Sequence, residues 1–257
     1  MMDTRRIKIL CLFVILAAFL TSCGRNGEKS KLAEKSDHEK KFEARVAKLC
    51  QETTDINKEE DRGIAILYWA IEHNYVDAVK TLLQCGADPD IPPKKGAAET
   101  ALYATITSLS YANDAFESLQ VERSRAIAEL LIQHGANVNY TPKTGDTPLH
   151  KAALRGRTDL CELLIQNGAR VNASDILGYT PLHQAAKQGY WESTQFLLKN
   201  GARPTVANKF GATPMSLARK REEESLNEQI RKKTQLDYNP GSDYDRTIEV
   251  LTEYGAY

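Results

Sequence analysis

Histidine and cysteine are the residues of this 257-residue chain whose chemistry invites a function, and there are five of each. Two imidazoles stand out. His150 and His183 each close a tetrapeptide, Thr147-Pro148-Leu149-His150 and Thr180-Pro181-Leu182-His183, spaced 33 residues apart. A pair of imidazoles could ligate a metal or relay a proton. Here, however, the whole tetrapeptide recurs with the histidine, and it returns in altered form as Thr213-Pro214-Met215-Ser216 another 33 residues on. What repeats is a structural unit, so the imidazoles read as architecture. His38, His73 and His134 have no constellation around them, and no Cys/His spacing suits zinc. No G-x-S-x-G, H-E-x-x-H or P-loop is present. The expectation is a chain with no catalytic residue, no metal site, no cofactor and no small-molecule substrate.

The cysteines divide by position. Arg5, Arg6 and Lys8 precede an apolar run of twelve residues, Ile9 to Leu20. That run is shorter than the roughly 20 residues needed to span a bilayer, so it reads as a signal peptide. It ends at Leu20-Thr21-Ser22-Cys23, which resembles a bacterial lipobox. The resemblance implies cleavage before Cys23 and acylation of that residue with diacylglyceryl and palmitate-type chains. Several chains on one cysteine hold a protein at a membrane permanently, because each buried CH₂ adds about 0.8 kcal/mol. Gly24 rather than Asp follows, and by the same resemblance this favours the outer membrane, with the protein facing the periplasm. Cys11 leaves with the signal. Cys50, Cys85 and Cys161 remain, an odd number for an oxidising compartment. Cys161 falls in a core position, while the spacing of Cys50 and Cys85 allows a bridge without demanding one.

Formal charge is zero for the whole chain, and −2 once residues 1–22 are removed, leaving 31 basic and 33 acidic residues. Neither value offers the basic surface that nucleic acid requires. Aromatics make up 7% of residues, too sparse for a base-stacking platform. Domain organisation reads as 1–22 signal peptide, 23–37 lipidated cysteine and polar tether, 38–60 an N-terminal capping helix, and 61–257 a repeat domain. Within the cap, Phe42, Val46, Leu49 and Cys50 share one helical face over residues 38–52.

A second beat keeps time with the first: Gly135-Ala136, Gly168-Ala169 and Gly201-Ala202. A fixed period of 33 carrying T-P-L-H resembles the ankyrin repeat. This implies an all-α solenoid of about five repeats, each a turn, two antiparallel helices and a projecting loop. Thr and Pro open the first helix, paired alanines let neighbours approach, and Gly ends the second helix in a left-handed conformation. Repeats three (145–176) and four (178–209) are complete. Repeat one is degenerate at Ala65-Ile66-Leu67-Tyr68. Repeat two starts at Thr100 with 14 residues inserted near Ser108 to Glu122. Repeat five starts at Thr213 with 21 inserted, over which its first helix runs on before Asn239-Pro240-Gly241 turns the chain back.

The same resemblance implies a protein-binding module, and the departures from its pattern mark where. Ile176, Leu177 and Tyr179 flank Gly178 at one loop tip, and Phe210 stands beside Gly211 at the next. Trp69 occupies the variable slot after the T-P-L-H position, which faces the concave side in this family. Lys151, Arg155, Gln184, Lys187 and Gln188 would form a polar rim there. Exposed apolar groups at adjacent tips suggest a binding patch. Tyr190 and Trp191, at the helix–helix turn of repeat four, read as packing groups. Two partners suit such a module. One is a cognate toxic effector, by resemblance to periplasmic ankyrin-type immunity proteins against type VI secretion phospholipases. The other is a resident periplasmic enzyme that the module would support in stress defence.

Overall fold

A computed structural model describes residues 37–52, 56–57, 63–92, 99–107, 116–231 and 243–256. The segments expected to be signal peptide, lipidated Cys23 and tether, up to residue 36, and the expected turn at Asn239-Pro240-Gly241 lie outside these. Every regular element among the described residues is a helix: α1 Asp37–Glu52, α2 Gly63–Glu72, α3 Val76–Gln84, α4 Ala101–Thr107, α5 Phe116–Gln133, α6 Pro148–Leu154, α7 Thr158–Gln166, α8 Pro181–Gln188, α9 Trp191–Lys199, α10 Pro214–Arg231 and α11 Asp243–Glu253.

The T-P-L-H signature starts the first helices by satisfying their free amides. The Thr147 hydroxyl accepts from the His150 N–H, and the His150 Nδ1 accepts from the Thr147 N–H at 3.0 Å, a reciprocal capping box. Thr180 and His183 repeat it. With Nδ1 accepting, Nε2 carries the proton and donates to a carbonyl of the next loop. His150 reaches Tyr179 O at 2.9 Å and His183 reaches Ala212 O at 3.1 Å. Both rings are buried, and burial lowers their pKa below the usual value. Each imidazole therefore works as a neutral bracket that starts one repeat and fastens it to the next. In degenerate repeat one the phenol of Tyr68 replaces it, donating to Glu99 O at 2.8 Å and Ile91 O at 3.3 Å. Ser216 keeps the cap within repeat five, exchanging hydrogen bonds with Thr213.

First helices α2, α4, α6, α8 and α10 pack in series as one row, and second helices α3, α5, α7, α9 and α11 as another. Along the middle of the stack the first helices pack more extensively against each other than the second helices do. The fully buried pairs Ala152-Ala153 and Ala185-Ala186 permit that approach. Leu163, Leu164, Leu197 and Leu198 fill the space between rows, each fully buried leucine stabilising by about 1.5–3 kcal/mol. Gly168 and Gly201 follow the second helices at φ +86° and +88°, a region costly for residues with a Cβ.

α1 packs on α3, so it extends the row of second helices. A Cys50–Cys85 disulfide, with Cα atoms 5.8 Å apart, fastens its end to the cap of α3. Cys161 is a buried free thiol, and burial pushes its pKa up to about 12. The loop after α1 repeats a pattern found deeper in the stack. Asn139 donates to Gly168 O and accepts from Arg170 N–H, Asn172 does so with Gly201 and Arg203, and Asn57 does so with Gly86 and Asp88. By this register α1 and Asn57 are the second helix and loop of a half repeat.

The insertion in repeat two does not sit wholly in a turn. Residues 108–115 lie outside the described set, but from Phe116 the chain is already helical, making α5 18 residues long against nine for α7 and α9. Good helix formers and partners on three sides favour this outcome. Gln120 accepts from Asn74 at 2.6 Å, and Arg123 lies 3.7 Å from the buried Glu39 carboxylate of α1. Arg157 grips Asp159 with two bonds at 2.7 and 2.8 Å and donates to Ser124 Oγ and Val121 O. The extra turns thus stitch the cap, repeat one and repeat three together. In repeat five, α10 runs on to Arg231, well beyond the eight residues of α8.

Candidate binding surface

The loop tips are built by side chains that close on their own backbone. Asp175 Oδ1 accepts from the amides of Leu177 and Tyr179, both at 2.8 Å, and Asp175 N–H donates to Tyr179 O. Asn208 does the same with Phe210 and Ala212. With the backbone turned inward, the residues at the apex must point out. The tips also interlock: Ile176 N–H donates to Thr144 O at 3.2 Å and Lys209 N–H to Leu177 O at 2.9 Å. Gly145 makes this possible, since a Cβ there would stand 2.9 Å from the Ile176 nitrogen.

Three large apolar side chains ride on two of these adjacent tips. Ile176 is 54% exposed, Leu177 43% and Phe210 70%. Apart from Tyr254, they are the exposed large hydrophobic residues among those described. Lys143 and Lys209 occupy the same tip position as Ile176 in the flanking repeats and are exposed. The signal for them was present in the 33-residue register, though not in their own residue type. The apolar row is thus bordered by cations at both ends.

The helix face behind the tips is less free than the sequence suggests. The Lys151 ammonium lies 3.0 Å from Asp146 and 5.6 Å from the centre of the Tyr103 ring. Burial works against its charge, but bonding to Tyr103 and Asp146 outweighs that and raises its pKa. The Arg155 guanidinium donates to Thr107 O, a carbonyl at the end of α4, at 3.1 Å. Both side chains therefore join repeats. Tyr179 sits edge-on to His183, with Lys187 5.9 Å above its ring, and Gln184 and Gln188 are half-buried on the same helix. This group lies beside the apolar tips.

Trp69 lies apart from that group. Helices α4 and α6 separate its helix from α8 in the row. Its indole stacks on His73 at 3.8 Å and touches Phe42 of α1 at 4.3 Å. The variable slot faces outward in the middle repeats, but at the first repeat the cap covers part of it. Trp191 lies beneath Arg246 of α11 at 5.5 Å, and Tyr190 packs on Gly156. Among the described residues, no group of three or more His, Cys, Asp or Glu is arranged to hold a metal ion, and no helix is long and apolar enough to cross a membrane.

Residues 118–208 match a family model of ankyrin repeats in three copies, and residues 62–94 match a single ankyrin repeat. Over these residues the solenoid is built of ankyrin repeats. Two curated relatives share this feature. A fowlpox virus ankyrin repeat protein is 31% identical over 127 residues, covering 43% of this chain and 17% of its own length. An ankyrin repeat protein of Acanthamoeba polyphaga mimivirus is 39% identical over 106 residues, covering 40% and 18%. The chain spans less than a fifth of either relative, so the likeness is one of repeats. An ankyrin stack is typically a non-catalytic module for protein–protein interaction, and the exposed tips are where this one offers apolar surface.

Proposed function

We propose that this protein is a lipid-anchored periplasmic immunity protein that binds and neutralises a toxic effector such as a lipase. The observation that carries the binding reading is the exposure of Ile176, Leu177 and Phe210 on two interlocked tips. The hydrogen bonds of Asp175 and Asn208 hold the backbone of these tips, so little loop ordering is needed on binding, which favours affinity. A stack of five repeats offers room for an interface of roughly 1,600 Å². The Cys50–Cys85 disulfide supports an oxidising compartment, in keeping with the signal peptide and the Leu20-Thr21-Ser22-Cys23 segment. An anchor at Cys23 would hold the module at the outer membrane, where an incoming lipase acts.

Replacing Ile176, Leu177 and Phe210 together by Asp should weaken capture of the partner by about two orders of magnitude or more, with helicity and melting unchanged. Unfolding of this variant instead would show that the three residues are core. Deleting the gene should sensitise cells to a toxin encoded beside it. A deletion strain that survives toxin-bearing siblings would end the immunity reading. Labelled palmitate should enter the wild-type protein and not a Cys23→Ala variant.

A further inference from the structure

Among the described residues, the half repeat at the N-terminus leaves a place in the stack without a helix. Each complete repeat has a first and a second helix. The half repeat contributes α1 to the row of second helices, and Asn57 keeps the loop register, yet no described helix precedes α2 in the row of first helices. In α6 the corresponding positions are Pro148, which is buried, and Lys151, which lies over Tyr103 of the preceding first helix α4. In α2 the same register falls on Ile66 and Trp69, both apolar and only half-buried, with Ala65 exposed beside them. Between them and α1 runs a groove of 720 Å³, whose other wall is Phe42, Val46 and Leu49.

We propose that this groove is a second docking site, which takes a short amphipathic helix of another protein in the place of a missing first helix. Three observations set its chemistry. The first helices α6 and α8 are seven and eight residues long, so the occupant is a helix of about two turns. Those helices present Leu149 with Ala152-Ala153 and Leu182 with Ala185-Ala186 to the stack, so the occupant offers leucine and small residues on one face. The rim carries Arg45 and Lys48. Lys48 lies 3.6 Å from Glu52, whereas Arg45 is paired with no carboxylate among the described residues. The exposed flank of the occupant is therefore acidic. Given the proposed cleavage before Cys23, the chain's own segment ahead of α1 is residues 24–36, which hold only Leu32 and Ala33 as apolar groups, too few to form such a face. The disulfide fastens α1 in its row, where no first helix lies beside it among the described residues.

The chain has two tryptophans, so in a Trp191→Phe background the emission of Trp69 reports on the groove. The probe is a stapled synthetic helix of two to three turns with Leu and Ala at i, i+3 and i+4 and Glu elsewhere. It should shift Trp69 emission to shorter wavelength and saturate. Ala65→Gln, which adds bulk to an exposed position, should weaken it at least tenfold without changing helicity or melting. Arg45→Glu should weaken the acidic helix and strengthen a counterpart in which Lys replaces Glu. No saturable shift overturns the site, and equal binding of the two helices overturns the acidic partner. The same shift on adding anionic vesicles alone assigns the groove to a lipid surface. A shift with protein concentration alone assigns it to a second copy of the chain.

Discussion

Removal of the Cys50–Cys85 bridge gives a direct test of the half-repeat arrangement. The two cysteines are 35 residues apart, and their bridge encloses the α1 end, the Asn57 loop and both helices of repeat one. In the chain-entropy account, closing a loop of that length in the unfolded chain stabilises the folded state by about 4 kcal/mol. In a solenoid each repeat contacts only its neighbours, so that stabilisation falls on the N-terminal end and fades along the stack. The Cys50→Ala/Cys85→Ala variant should remain folded through α6 to α9, where the cores are complete. Amide exchange in α1 and α2 should accelerate by up to about three orders of magnitude, since each 1.4 kcal/mol is a factor of ten. Exchange in α8 and α9 should change little, and a thiol reductant on the unmutated protein should give the same pattern. Unchanged exchange in α1 would mean that its packing on α3 and the Glu39–Arg123 contact suffice without the bridge. Equal acceleration in α8 and α9 would refute nearest-neighbour behaviour and make the stack one cooperative unit.

The brackets formed by His150 and His183 give the protein an acid sensitivity. Their folded pKa lies below 6.5 through burial, while in the unfolded chain it is about 6.5. Above that pH both states are neutral and stability is flat. Below it the unfolded chain takes up protons first, so stability falls by up to about 1.4 kcal/mol per pH unit for each histidine. Urea midpoints at pH 7 and pH 5 should differ, and a His150→Gln/His183→Gln variant should lose most of that difference. An equal drop in the variant would place the acid sensitivity elsewhere. Gly145→Ala and Gly211→Ala separate conformation from contact at the tips. Both glycines have positive φ, but a Cβ meets the next tip only at Gly145. Both variants should lose about 1–2 kcal/mol, with Gly145→Ala losing more in thermal melts, and equal losses would show that the tips do not press on one another.

The repeat period, the capping residues, the left-handed glycines and the core leucines were legible in the sequence because each serves a local need that recurs every 33 residues. The exposure of Ile176, Leu177 and Phe210 was legible from their place at the loop tips, although their residue types depart from the period. Asp175 and Asn208 close their tips with local hydrogen bonds, and the residues at the apex have nowhere to go but out. Other outcomes depend on neighbours that the period does not specify. The insertion before Gln120 and Arg123 breaks the register, so nothing in the chain order tells that these residues reach Asn74 and Glu39. Lys151 and Arg155 occupy variable positions, and only the stacking of repeat three on repeat two turns them toward Tyr103 and Thr107. Trp69 sits in a slot that is open in a middle repeat, and the cap helix makes it one wall of a groove. The pairing of Cys50 with Cys85 was one arrangement among several until α1 took its place on α3. Periodic, short-range constraints are written in a single sequence. Contacts at the ends and insertions of a repeat stack are decided by which surfaces meet once the repeats have stacked.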